Sequence, residues 1–134
     1  MKSGDAAGKW LEGSPVSFSP IAIEHIANPR NAGALEGATH QGVAGDPGGG
    51  PYVILWLRVE GDVIKEATYE TYGCPAAVAT SSIIAQLLRG RTVAQALSIT
   101  PNDLLLILGG LPPGKEGCPQ MAVAALRHAL EEGE

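Results

Sequence analysis

The 134-residue chain is poor in several residue types, and each shortage argues against a class of protein. Aromatic residues make up 4% of it, and 9 Lys and Arg face 14 Asp and Glu, for a net charge of −5. No cluster of basic residues is present, which argues against nucleic acid or an anionic membrane as the main partner. No apolar stretch approaches the roughly 18 residues of a membrane span. We therefore expect a cytoplasmic protein with neither kind of partner.

Catalytic machinery of the common kinds is also missing. The sequence contains no Ser/His/Asp set, no phosphate-binding loop and no carboxylate pair placed for acid-base chemistry. We therefore do not expect the protein to be an enzyme. It has only two cysteines, Cys74 and Cys118. Two cysteines do not make a disulfide framework, so a metal or redox role in a reducing compartment is favoured.

Both cysteines stand in the same local setting, a Gly-Cys-Pro triplet ahead of an Ala/Val-rich run. Pro75 and Pro119 are suited to the first turn of a helix, so each is predicted to mark a helix start. Each cysteine would then lie at a helix N-terminus, where unpaired N–H groups favour a thiolate. The shared setting favours two reactive or metal-binding thiols. The alternative is ordinary turn chemistry around two small hydrophobic residues.

The rest of the pattern predicts a flexible N-terminal segment, residues 1–18, and one α+β domain, residues 19–132. Residues 42–51 are so rich in glycine and proline that they are predicted to be a loop. Two β-branched and aromatic runs flank the tight turn Gly61-Asp62, which indicates a β-hairpin. After Gly73 the pattern is helical. Strands followed by helices predict an antiparallel sheet with the helices packed on one face.

Four segments, "HIANPRNAG", "TYGCPAAVATSS", "LLRGRTVAQAL" and "LPPGKEGC", occur in an order and spacing that resemble one family. This is the U-type iron-sulfur cluster scaffold family, which comprises IscU, SufU and the N-terminal domain of NifU. The resemblance covers roughly residues 18–132. It implies a three-stranded antiparallel sheet and a scaffold that builds a [2Fe-2S] cluster from iron and from sulfur supplied by a cysteine desulfurase. In such proteins three cysteines hold the cluster, and a nearby Asp and often a His also serve when zinc binds.

This sequence departs from the ligand set that the resemblance implies. Cys74 and Cys118 match the second and third family cysteines. Gly49 stands where the first cysteine is expected, and Pro51 stands where the aspartate is expected. Asp46 is the nearest acid in the loop and is therefore the candidate third metal ligand, although a turn role in "GDPG" is the simpler interpretation.

Other residues that could bind a metal are interpreted as structural or solvent-exposed. His25 matches a family position on the first helix and is expected to be structural, whereas His40 and His128 are expected on the surface. Glu116 lies close to Cys118 in sequence and is expected to be a solvated charge.

Three functions remain open. The first is a scaffold-like protein that binds or relays iron and sulfur through Cys74 and Cys118, holding a [2Fe-2S] cluster or zinc with reduced affinity. A homo-oligomer would complete the site with two thiolates from each chain. Because a monomer offers two thiolates and at best one carboxylate, we expect the purified protein to be largely metal-free. The second function is an adaptor that keeps the fold without a cluster.

The third function is a persulfide or redox relay, and whether the two cysteines form a disulfide is left open. The resemblance also implies a docking peptide for an Hsp70-type chaperone at Leu111–Lys115, altered here by Gly114 at its middle. The expected partners are therefore a cysteine desulfurase, this chaperone and a second copy of the chain.

Overall fold

The computed structural model describes residues 18–132. The expectation of a flexible segment over residues 1–18 therefore concerns, apart from Phe18, a part of the chain outside the described residues. The strands are β1 His40–Gly45, β2 Tyr52–Glu60 and β3 Val63–Tyr72. The helices are α1 Pro20–Ala27, α2 Pro75–Leu88, α3 Val93–Leu97, α4 Pro101–Leu108 and α5 Gly117–Arg127, and a π-helical segment, His128–Glu132, continues α5.

The three strands form one antiparallel sheet in the order β1-β2-β3. Alternate residues of β2, namely Val53, Leu55 and Leu57, are buried, because successive side chains of a strand point to opposite faces. Helices α2 and α5 cover this buried face, and the other helices pack mainly on these two. The predicted α+β fold, with three strands and helices on one face, is confirmed.

The predicted hairpin is present, and it places the end of β3 beside the start of β2. Strands β2 and β3 flank the turn Gly61-Asp62, and their register pairs Tyr52 with Tyr72. The two tyrosine rings stack with their centroids 6.3 Å apart. Gly73 and Cys74 follow directly, so the hairpin carries the first cysteine to the edge of the sheet.

The predicted loop over residues 42–51 is partly wrong, because its first four residues belong to β1. Gly42 allows this strand to pack closely. A Cβ atom at Gly42 would lie 2.0 Å from the carbonyl oxygen of Ala125 and 2.5 Å from the backbone nitrogen of Ala129. A glycine inside a strand often marks such a close approach of two backbones. The glycine thus reflects packing against α5 and the π-helical segment.

Local capping explains where three of the helices begin. The Ser19 side chain accepts a hydrogen bond from the backbone N–H of Ala22 at 3.0 Å, and Pro20 is the first residue of α1. Thr92 and Thr100 each form a capping box at the start of α3 and α4. These side chains satisfy N–H groups that the first helical turn leaves unpaired.

None of the helices within residues 18–132 has the length and apolarity needed to cross a bilayer.

Candidate thiol site

Cys74 occupies the N-cap position of α2, as the sequence predicts, with Pro75 as the first helical residue. Burial alone would raise the pKa of the Cys74 thiol. The backbone N–H groups of Ala77 and Ala76, the Lys115 ammonium and a hydrogen bond from Cys118 outweigh burial and lower this pKa below its ordinary value. Cys74 is therefore the thiol that ionises first.

Cys118 lies inside the first turn of α5 rather than ahead of it. The prediction that Pro119 begins this helix is wrong, because α5 begins at Gly117. The N–H of Cys118 already donates to the carbonyl oxygen of Lys115 at 3.1 Å. Proline is tolerated throughout the first turn, since N–H groups there have no partner in the helix.

Burial raises the pKa of the Cys118 thiol to about 11, and the charge of Cys74 and the hydrogen bond to it act in the same direction. The ammonium group of Lys115 opposes this rise. The two cysteines therefore have different chemistry, although their sequence settings match. Cys74 is the more easily ionised thiol, and Cys118 keeps its proton at neutral pH.

Both cysteines line one cavity of about 370 Å³, between the end of β3, the start of α2 and the start of α5. Most of the wall is apolar and includes Pro51, Val53, Ala77 and Met121. Lys115 also lines the cavity. The structure thus confirms that the two Gly-Cys-Pro motifs meet, and it adds one ammonium group to the two thiols.

Asp46 does not join the thiols. It does not line their cavity, and within residues 18–132 no group of three or more His, Cys, Asp and Glu side chains could hold a metal ion. Asp46 instead organises its own turn, where its carbonyl oxygen accepts hydrogen bonds from Gly49 at 2.9 Å and Gly50 at 2.8 Å. A Cβ atom at Gly49 would lie 2.3 Å from the Asp46 carboxylate. The carboxylate therefore stands where a side chain at position 49 would begin.

The segment Leu111–Lys115 is a tight turn that points its lysine at the thiols. The N–H of Lys115 donates to the carbonyl oxygen of Pro112 at 3.2 Å, and Gly114 has a φ of +88°. Glycine adopts this left-handed conformation without steric cost. The carboxylate of Glu116 accepts a hydrogen bond from the N–H of Gly114 at 3.1 Å, so Glu116 stabilises the turn.

Sequence reasoning missed two residues of the site, Lys115 as the counter-charge and Met121 as part of the wall. Met121 follows Cys118 by three residues on a predicted helix, which places both on one face. That spacing was a signal for Met121. The signal for Lys115 was its position three residues before Cys118, because the two cysteines were expected to meet.

The histidines do not contribute to the thiol site. His25 is buried and its Nδ1 lies 2.7 Å from the Ser82 hydroxyl, which confirms a structural role. His128 is exposed, as expected, but its Nδ1 accepts a hydrogen bond from the N–H of Val43 at 2.9 Å. It therefore satisfies a donor on the free edge of β1.

Comparison of sequences identifies relatives along most of the chain. Residues 17–133 match the family model of the NifU-like N terminal domain. The bifunctional protein NifU/MnmA of Rubrobacter xylanophilus is 42% identical over 120 residues, 88% of this chain and 25% of that protein. The iron-sulfur cluster assembly scaffold protein IscU 1 of Archaeoglobus fulgidus is 37% identical over 113 residues, 84% of this chain and 74% of that protein. The chain thus spans a quarter of the first relative and about three quarters of the second.

Comparison of structures agrees at the level of the fold. A crystal structure from Fervidobacterium islandicum AW-1, described as a candidate iron-sulfur cluster assembly scaffold for the SUF system, superimposes with a TM-score of 0.67. The sequence identity is 19%, and the match covers 89% of this chain and 100% of that one. The resemblance noted in the sequence is confirmed, and the chain belongs to the NifU-like N-terminal domain family.

Proposed function

We propose that this protein takes part in iron-sulfur cluster assembly as a scaffold-like carrier that binds or relays iron and sulfur through Cys74 and Cys118. The observation that carries this proposal is the cavity that brings both thiols together beside Lys115. The names of the scaffold relatives support the same role. The role is one of binding and transfer, without turnover of a small-molecule substrate.

The cluster or iron is cargo in this role, and the ligand count determines how firmly it is held. Iron-sulfur and zinc sites use about four ligands. The two thiolates supply two of these four ligands. Pro51, which stands at the position of the family's aspartate, lines the cavity with an apolar ring that cannot bind a metal. We therefore expect weak holding of iron or zinc by a monomer. A second chain or an external thiol would complete the shell.

A sulfur relay is the second candidate, and the lowered pKa of Cys74 favours it. The Cys74 thiolate would attack the outer sulfur of a persulfide on a cysteine desulfurase. The new S–S bond would form on Cys74, and the desulfurase cysteine would leave as a thiolate. Cys118 could then attack the inner sulfur of the Cys74 persulfide, which would form a Cys74–Cys118 disulfide and release hydrosulfide.

The proposed partners are a cysteine desulfurase and an Hsp70-type chaperone, in the cytoplasm. The chaperone would contact the turn Leu111–Lys115. In this turn Pro113 and Gly114 are exposed, whereas Pro112 is buried and Leu111 packs against the core. Docking would therefore begin at the exposed tip of the turn.

Anaerobic reconstitution tests the proposal. The wild-type chain and a Gly49→Cys/Pro51→Asp variant are incubated with iron, sulfide and thiol, desalted, and examined by visible absorption and by iron and sulfide analysis. We expect a cluster spectrum that fades on desalting in the wild type and persists in the variant. Gly49 is outside the left-handed region, so a cysteine there needs only the Asp46 side chain to move.

Two further variants, Cys74→Ser and Cys118→Ser, provide the controls, and each should abolish the wild-type spectrum. No spectrum in the wild type, with a full spectrum in the Gly49→Cys/Pro51→Asp variant, would favour the adaptor or relay over the carrier. The relay is then tested separately, by mass spectrometry of Cys74 after incubation with a small persulfide.

A further inference from the structure

A third sulfur-bearing residue, Met121, lines the thiol cavity. Met121 lies three residues after Cys118 on α5, so the two side chains share one face of the helix. Cys74 lines the same cavity from the start of α2. Three sulfur-bearing side chains from two helices therefore face one space of about 370 Å³.

The atoms around these sulfurs are unsuited to a hard or borderline divalent ion. In the described part of the chain, no Asp, Glu or His side chain lies close enough to the two cysteines to serve as a third metal ligand. Zinc and iron would need nitrogen, oxygen or further thiolate ligands to complete a tetrahedron. Soft thiolate and thioether ligands suit Cu(I), zinc and iron-sulfur clusters alike. Cu(I) differs in that a set of two or three sulfur ligands completes its shell, whereas zinc needs four ligands.

The charges are balanced for a monovalent ion. Two thiolates around Cu(I) carry one net negative charge, and the ammonium group of Lys115 lies close enough to act on both cysteines. The largely apolar wall would strengthen this compensation, since charges interact more strongly away from water. A divalent ion with the same two thiolates would be neutral and would leave the charge of Lys115 unbalanced.

We propose that Cys74, Cys118 and Met121 form a Cu(I) site, with two thiolate ligands, one thioether ligand and Lys115 as the neighbouring counter-charge. This inference goes beyond the proposed function, because it requires neither iron nor sulfide nor a second chain. The site has the same thiols as the proposed carrier, so Cu(I) and a cluster would compete for them.

An anaerobic titration of the full, reduced chain tests the site. Cu(I) is added in competition with a chromophoric Cu(I) chelator, and Zn(II) is added in a parallel titration with a chromophoric zinc chelator. We expect one equivalent of Cu(I) per monomer, with the chain still monomeric by size-exclusion chromatography, and much weaker retention of Zn(II). Retention of Zn(II) as firmly as Cu(I), or one copper ion shared by two chains, would overturn the proposal.

X-ray absorption at the copper edge tests the ligand set. The wild type should show three sulfur neighbours, and Met121→Leu should show two. Leu is close to Met in volume, so this variant should fold. Far-ultraviolet circular dichroism verifies the folding of every variant. Nitrogen or oxygen neighbours in the wild type, or an unchanged sulfur count in Met121→Leu, would contradict the assignment.

Affinity measurements test the counter-charge and the thiols. Lys115→Gln should weaken Cu(I) binding about 10- to 100-fold, as loss of groups beside a metal's direct ligands commonly does. Lys65→Gln makes the same charge change at an exposed position on β3 and should leave affinity unchanged. Cys118→Ser should remove competitive binding. Equal affinities in Lys115→Gln and Lys65→Gln, or undiminished binding in Cys118→Ser, would overturn the site.

Discussion

Cys74 and Cys118 line one cavity, where Cys118 lowers the pKa of Cys74 and Cys74 raises the pKa of Cys118. Burial and then the charge of Cys74 raise the pKa of Cys118, whereas the interaction with Cys118 is one of the causes that lower the pKa of Cys74 despite its burial. Cys74 therefore ionises at a lower pH than Cys118 and is the better nucleophile of the pair. This asymmetry leads to the first two predictions.

Alkylation should discriminate between the two thiols. Because its pKa is lowered, Cys74 should react with iodoacetamide at a lower pH than Cys118, whose pKa is raised to about 11. In Cys74→Ser the charge and the hydrogen bond that raise the pKa of Cys118 are lost, so Cys118 should react at lower pH than in the wild type. Peptide mass spectrometry across a pH series measures both rates. Faster reaction of Cys118 in the wild type would contradict this assignment.

Lys115→Gln should shift the titration of both thiols to higher pH. The Lys115 ammonium lowers the pKa of Cys74 and that of Cys118, so its removal raises both. The thiolate absorbance in the ultraviolet, followed against pH, reports the shift. Lys65→Gln is the matched control, and an identical curve for both variants would show that Lys115 has no electrostatic role.

Gly42→Ala should destabilise the fold. The new Cβ would meet backbone atoms of Ala125 and Ala129, which cannot move without displacing α5. Overpacking of this kind costs about 1–3 kcal/mol. Urea denaturation measures the loss, and Gly117→Ala is the control, because open space surrounds its position. Equal stabilities of the two variants would show that β1 can move away from α5.

Acid should destabilise the protein partly through His25. Burial lowers the pKa of His25 below 6.5, and the charge of Arg30 lowers it further, while Glu24 opposes this. The unfolded chain therefore binds the proton first as the pH falls. The contribution of His25 is complete above pH 6.5 and is lost as the pH falls through the lowered value.

His25→Gln tests this contribution. Urea denaturation at about pH 7.5 and pH 5.5 should show a smaller loss of stability for the variant than for the wild type. His40→Gln, at the start of β1, is the control and should behave as the wild type does. If the wild type loses no more stability between these two pH values than His25→Gln does, the prediction is wrong.

Asp46→Ala should leave metal and cluster binding unchanged. The carboxylate does not line the thiol cavity, and the turn is held by the backbone carbonyl group of Asp46, which the substitution keeps. Iron and zinc contents after reconstitution measure the effect, beside Asp62→Ala in the exposed hairpin turn as a control. A clear loss of metal in Asp46→Ala alone would show that the loop swings inward and that Asp46 is a third ligand.

Much of the secondary structure could be predicted from the sequence, because the deciding interactions lie within a few residues. Ser19 and Thr100 cap their helices through N–H groups three residues away along the chain. Gly61-Asp62 forms a two-residue turn between strands that pair immediately beside it. The meeting of Cys74 and Cys118 was also predicted, from their repeated motif and the family resemblance.

The start of β1, the ionisation of the two thiols and the orientation of Asp46 were decided only by the tertiary structure, because the contacts that fix them join distant segments. Gly42 belongs to a strand because β1 pairs with β2 and packs on the backbone of α5, and no glycine-rich sequence reveals that. The different ionisation of Cys74 and Cys118 depends on burial, on their mutual contact and on Lys115. Asp46 was the nearest acid in sequence, yet the loop turns its carboxylate toward Gly49. The chemistry of each thiol is set by neighbours that only the folded chain brings within reach.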